Sequence, residues 1–266
     1  SYGHLLIMGG SVRMPGALLM AVRAAIQSGV GLVSVVAPQS LYAALAAQVP
    51  EAMWIPWAET EEGGLALEGL SVLRELEGRI DAFLVGPGMG RGTETQALMD
   101  EAVDLMKVPV VMDADALMPD RVRRLGKDRP GQVVITPHRG EFERVSGLSS
   151  VEGDAFEAFR SYCDTTGVVG LLKGPLSIVS AEGKGWISAH GGPVLARGGS
   201  GDILAGLVGG AVASLGSRGM VRAVSRALVL HGIAADALAS RQGECFVRTT
   251  SLLDYLNRID PDYGQI

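Results

Sequence analysis

Short, unbroken apolar runs alternate along this chain with stretches in which apolar residues return every three or four positions. The runs are LLIMG at 5–9, LVSVVA at 32–37, AMWI at 52–55, DAFLVG at 81–86, VPVVMD at 108–113 and QVVIT at 132–136. Being continuous rather than alternating, they read as strands covered on both faces, the pattern of a parallel sheet flanked by helices. The first helical stretch opens at Pro15, a residue suited to a first helical position, and stops near SGVG at 28–31. After about residue 167 the strands GVVGLLKG, LSIVSAEG and KGWISAHGG are joined by short links such as Glu182-Gly183, so hairpins finish the sheet. Helices are expected at 201–215, about 219–241 and about 248–258. No linker, repeat or shift in composition divides the chain, and one α/β domain over residues 1–266 is expected.

The segment VLARGGSGDILAGLVGGAVASL at 194–215 stands out. From Ile203 to Leu215 every residue is apolar, Gly or Ser, so the helix reads as buried all round. Its first turn has N–H groups that need a partner, and glycines at 198, 199 and 201 let a ligand approach them. Asp202 is an odd residue to put there, because a carboxylate beside an anion hole is unfavourable unless it acts on the ligand. It could be an ordinary acidic first-turn residue, but the apolar helix behind it places the turn inside the protein. The functional reading is therefore preferred: N–H groups of Gly199, Ser200 and Gly201 neutralise a transferring phosphoryl group while Asp202 takes the proton of an attacking hydroxyl.

Composition narrows the classes. A net charge of −6 without a basic run argues against a nucleic-acid partner. The two cysteines, Cys163 and Cys245, form neither a disulfide framework nor a metal-ligand spacing. The opening SYGHLLIMGG lacks the charged and apolar regions of a signal peptide, and Ile203–Leu215 is too short to span a bilayer. A cytoplasmic protein with no membrane partner is expected.

Four further segments follow strands and carry Gly, Asp, His or Lys: GGSVRMPGA at 9–17, GPGMGRG at 86–92, DADAL at 113–117 and TPHRGE at 136–141; LKGPLS at 172–177 is a fifth. In a parallel sheet such ends share one edge, where ligands bind. Singly, each has a plain reading. GPGMGRG is neither a dinucleotide fingerprint nor a P-loop and could be a turn; Asp115 could cap a short helix; His138 with Glu141 could start a capped helix; Lys173 could be a surface lysine. Together they suggest phosphoryl transfer without a P-loop, with Lys173 offsetting phosphate charge and Glu141 or Asp113 holding Mg²⁺ through water.

GGSGD before an apolar helix is similar to the anion hole and base of the ribokinase-like superfamily. The ordered set GHLLIMGGSVRMPGALLMAVRAAIQSGVGLVSVVAP, DAFLVGPGMGRG, VVMDADAL, VVITPHRGEFERVSG, LLKGPLSIV and HGIAADALA resembles the ADP-dependent NAD(P)H-hydrate dehydratases, from Tyr2 to Leu256. The resemblance implies a three-layer α/β/α sandwich, mostly parallel and finished by antiparallel strands. It implies repair of (6S)-NADHX and NADPHX: phosphorylation of the C6 hydroxyl by ADP, with ATP as the other donor, then loss of phosphate to give NAD(P)H. By position it makes Asp202 the base, assigns the nucleotide to Lys173, Gly174, Pro175, Leu176, Ser177 and Gly201, and lines the hydrated nicotinamide pocket with Ala17, Gly88, Gly90 and His138. It also implies a homo-oligomer, with a tetramer as one option, and cooperation with a separate epimerase, none being expected in this chain. Gly192, Arg197 and Pro175 depart from the family pattern at the edge of the nucleotide pocket. A small vitamin-precursor kinase of the same superfamily and an inactive nucleotide-binding regulator are the alternatives.

Overall fold

A computed structural model describes residues 2–148 and 155–258. Nine strands join in one sheet: β1 (His4–Met8), β2 (Leu32–Pro38), β3 (Met53–Trp57), β4 (Ala82–Val85), β5 (Val110–Met112), β6 (Val133–Ile135), β7 (Val169–Leu172), β8 (Ser177–Ala181) and β9 (Lys184–Ser188). Their order is β3-β2-β1-β4-β5-β6-β7-β8-β9. Pairing is parallel from β3 through β7 and antiparallel from β7 to β9. The turn between β8 and β9 is Glu182-Gly183, with φ of 51° and 70°. That pair of positive φ values matches the twist of a tight hairpin.

Alternate residues along the inner strands serve two different cores, which is why those runs are apolar throughout. Leu5, Ile7, Leu84, Val111 and Val134 pack on one face against α1 (Pro15–Gln27), α8 (Ser200–Leu215), α9 (Met220–Gln242) and α10 (Ser251–Leu256). Leu6, Met8, Phe83, Val85, Met112 and Ile135 pack on the other against α3 (Leu70–Leu76), α4 (Thr93–Leu105), α5 (Pro119–Asp128), α6 (Arg139–Ser146) and α7 (Ala155–Thr166). A short α2 (Tyr42–Ala46) links β2 to β3. The result is a three-layer α/β/α sandwich, mostly parallel and finished by antiparallel strands, as expected.

Helix α8 is buried on every side from Ile203 to Ala213. It lies directly on α1: a Cβ at Gly206 would overlap the Ala21 carbonyl, and one at Gly210 would overlap the Ser28 hydroxyl. The sequence's run of small residues thus brings two helix backbones into contact. By length and hydropathy α9 would also pass as a membrane span, yet half of that stretch is buried against neighbouring helices. The last helix is shorter than expected, six residues against the predicted 248–258, and the third strand sits slightly later than 52–55.

The sheet begins at β1, extends to one side through β2 and β3, then returns to the other side with β4. A crevice opens at the carboxyl end of such a switch. There the loops after β1 and β4 meet, the Gly10 N–H donating to the Pro87 carbonyl at 2.8 Å.

Candidate functional site

The carboxyl edge gathers most of the chemistry-bearing segments. At its centre Lys173, the residue after β7, points Nζ at Asp113 Oδ1 (2.8 Å) and lies 3.8 Å from Glu141 Oε2. Asp113 is buried at the end of β5 and also accepts the Thr136 hydroxyl at 2.7 Å. Lys173 is therefore the cation of a buried cluster rather than a surface lysine, which corrects the plain reading. Burial alone would lower its pKa, but the Asp113 and Glu141 carboxylates raise it above the ordinary lysine value.

Opposite this cluster stands the start of α8. Gly199 precedes it with φ 86°, a left-handed conformation that glycine adopts without strain, and a Cβ there would overlap the Met20 thioether. No side chain caps the helix. The Ser200 N–H already donates to the Arg197 carbonyl at 3.2 Å, so the hole expected from residues 199–201 is narrower than the sequence implied. A Cβ built at Gly201 would lie 3.3 Å from Lys173 Nζ, placing the first turn against the lysine.

Asp202 is half-buried there. Burial pushes its carboxyl up to about 6, and the negative charges of Asp113, Glu141 and Asp115 push the same way against the attraction of Lys173. A carboxylate held near neutrality can accept a proton at physiological pH.

Next to it, Asp115 does not cap the helical turn at Ala114–Ala116 as the plain reading has it. The turn lacks a side-chain cap, and Ala114 takes a positive φ of 49°. Asp115 instead accepts the Gly90 N–H at 2.9 Å and pairs with Arg91 Nε at 3.2 Å, tying the glycine loop to this edge. Gly88 touches the start of α1: a Cβ there would lie 2.9 Å from Ala17 Cβ and 2.8 Å from the Met14 carbonyl.

His138 and Glu141 form a reciprocal cap at the start of α6. The Glu141 N–H donates to His138 Nδ1 at 3.2 Å and the His138 N–H donates to Glu141 Oε2 at 2.8 Å. The helix-start reading is thus correct in geometry, while the ring of His138 remains mostly exposed. Asp113 and Glu141 already share the charge of Lys173, and among the described residues no three His, Cys, Asp or Glu side chains converge as a metal-ligand set.

On the outer side a cavity of about 670 Å³ runs from Lys173 and Gly201 along Gly174, Pro175 and Ser177. Leu176 is 56 % exposed and stands outside its lining. Gly192 lies on the far wall. His231 of α9 forms part of the floor, fully buried, with Nε2 3.4 Å from the Ser200 hydroxyl and Nδ1 without a partner. Burial, aided by the charge of Lys173, pushes its pKa down to about 4, so the ring is neutral. The sequence reading quoted the segments that hold Thr136 and His231 but gave neither residue a role. Only the histidine left a signal, as a lone polar residue on an apolar helical face.

A family model described as NAD(P)H-hydrate dehydratase matches residues 5–258. The bifunctional NAD(P)H-hydrate repair enzyme of Moorella thermoacetica is 35% identical over 262 residues, covering 96% of this chain and 48% of that protein. The chain thus spans about half the length of that relative. It is 32% identical over 244 residues to the ADP-dependent (S)-NAD(P)H-hydrate dehydratase of Lactiplantibacillus plantarum, covering 90% of this chain and 82% of that one. Among solved structures, the ADP/ATP-dependent NAD(P)H-hydrate dehydratase of Bacillus subtilis, co-crystallised with ATP and Mg²⁺, superimposes with TM-score 0.79 at 26% identity, covering 97% of this chain and 88% of that one. A ribokinase-like superfamily protein from Enterococcus faecalis shares the fold at TM-score 0.80 and 24% identity, covering 99% and 87%.

Proposed function

Because the chain belongs to the NAD(P)H-hydrate dehydratase family, we propose that it restores (6S)-hydrated NADH and NADPH by phosphorylating the C6 hydroxyl from ADP and eliminating phosphate. The observation that carries this reading is Asp202, half-buried in an uncapped first turn, with its carboxyl pushed up to about 6 and Lys173 alongside.

Hydroxide is a poor leaving group, so the C6 hydroxyl must first be converted. Asp202 takes its proton as the oxygen attacks the terminal phosphorus of ADP; the bond from that phosphorus to the bridging oxygen breaks, and AMP leaves. Lys173 and the first-turn N–H groups of α8 face the charge that grows on the phosphoryl oxygens. Mg²⁺, bound with the nucleotide, would supply further neutralisation of phosphate charge, with Glu141 and Asp113 within reach through water. The lone pair of the ring nitrogen then expels phosphate from C6, and loss of the C5 proton restores the dihydropyridine. Atoms and charge balance as hydrate plus ADP giving NAD(P)H, AMP, hydrogen phosphate and one proton released to solvent.

Lys173, Gly174, Pro175, Ser177 and Gly201 border the cavity that we assign to the nucleotide, with Leu176 at its outer edge. Ala17, Gly88, Gly90 and His138 frame the side assigned to the hydrated nicotinamide. Of the departures from the family pattern, Gly192 lines this cavity while Arg197 donates to the Glu244 carbonyl at its margin, and ATP is the second donor to test. The epimerase that supplies the S form, a homo-oligomeric state and a cytoplasmic setting complete the reading.

The test is the near-ultraviolet absorbance of the dihydronicotinamide ring, which the hydrate lacks. A rise on mixing protein, Mg²⁺, (6S)-hydrate and ADP supports the reading, and a rise with ATP alone reassigns the donor. No rise with either, from protein that binds nucleotide, would turn the assignment to a kinase that stops at the phosphorylated product.

A further inference from the structure

In the HGIAAD stretch of α9, Gly232 and Asp236 have no part in the chemistry above, yet both meet the segment that closes the cavity. Between β9 and α8 the chain turns at His190, Gly191 and Gly192, with φ of 115° and 52° at the two glycines. Gly191 N–H donates to Asp236 Oδ1 at 2.9 Å, and His190 Nδ1 lies 2.8 Å from Asp236 Oδ2. One turn earlier on the same helical face stands Gly232, where a Cβ would overlap His190 Cβ. The glycine lets the corner rest on the helix backbone, and the aspartate holds it there by two bonds. Beyond the corner Gly192, Pro193, Leu195 and Ala196 form the apolar wall of the cavity, opposite Leu204. An apolar wall suits the base of a nucleotide whose phosphates reach Lys173 at the other end of the cavity.

We propose that Asp236 is a positioning residue for the nucleotide: it latches the His190–Gly191 corner to α9 and thereby fixes the wall against which the base packs. This rests on the nucleotide reading of the cavity. Asp236 touches neither the phosphates nor the hydroxyl that is phosphorylated, so its contribution falls on affinity and not on the chemical step. Both oxygens are used, and the Gly191 bond needs only an acceptor. An asparagine therefore keeps the essential half of the latch, whereas alanine removes it.

Calorimetric binding of ADP and of ATP to wild type, Asp236→Ala and Asp236→Asn tests this, together with hydrogen exchange of the Gly191 amide. For Asp236→Ala we expect binding weaker by about tenfold, the scale of hydrogen bonds to a charged acceptor, a raised nucleotide KM with kcat little changed, and an unprotected Gly191 amide. Asp236→Asn should recover most of the affinity. Unchanged binding in Asp236→Ala overturns the proposal, as does an equal loss in kcat or a failure of Asp236→Asn to recover. Wild type that binds neither nucleotide, with the Gly191 amide still protected, would instead sink the nucleotide reading of the cavity and the latch's role with it.

Discussion

Lys173 Nζ sits 2.8 Å from Asp113 Oδ1, and the aspartate is almost wholly buried. The pair bridges sixty residues of sequence and joins the carboxyl ends of two strands. Thr136 donates to the same carboxylate from between them. Lys173 is thus held before any phosphate arrives.

Lys173→Met should therefore weaken the fold as well as nucleotide binding. It strands a buried carboxylate, a change that costs about 3 kcal/mol or more. Denaturant unfolding measures it, and Asp113→Asn in the Lys173→Met background should restore most of the loss. A single variant as stable as wild type would mean that the pair contributes nothing to the fold.

Asp202→Asn should keep nucleotide binding and lose turnover by a factor on the order of 10² or more, the usual contribution of a positioned base. In wild type, kcat/KM should fall in inverse proportion to proton concentration below about pH 6, where Asp202 becomes protonated. A pH profile flat through that range would remove Asp202 from the base role.

Stability should show two opposed titrations. The folded carboxyl of Asp202 is raised to about 6 from 3.8, so its contribution is fully present below pH 3.8 and is lost as pH rises through 6. The folded imidazole of His231 is lowered to about 4 from 6.5, so its contribution is fully present above pH 6.5 and is lost as pH falls through 4. The windows overlap and the slopes have opposite signs. Relative to wild type, Asp202→Asn should gain melting temperature toward pH 7, and His231→Gln should gain it toward pH 4 against its own value at pH 7. Parallel melting curves across that range for all three proteins would refute the assignment.

Gly206→Ala should destabilise by about 1–3 kcal/mol, the range for forcing a methyl group into a filled contact. Here the group met is the Ala21 carbonyl, which cannot swing aside as a side chain could. Thermal unfolding reads the loss, and an unchanged melting temperature would show that the two helices can part at no cost.

The inner strands were legible because their apolar runs are buried on both faces, leaving no polar alternation to confuse them; the half-exposed edge strand β3 was placed a residue early. The start of α8 was legible because glycines and an acid before an all-apolar helix have few other uses. Lys173 invited the wrong plain reading, since its partner Asp113 lies far away in sequence and only the sheet brings them together. Asp115 was misjudged as a cap for a similar reason: its acceptors face a loop twenty-five residues earlier. His231 and Asp236 lie on a helix whose pattern announces packing, and their partners arrive from loops of no fixed period.

The glycine contact between α1 and α8 also limits how the protein can move. Both helices start at the carboxyl edge, one at Pro15 beside the glycine loop and the other at Ser200 beside Lys173. At Gly206 backbone lies against backbone, so a shift of either helix that carried a larger residue to that point would meet the Ala21 carbonyl. The contact thus couples the two helix starts across the carboxyl edge, like the jaws of a caliper joined by one beam.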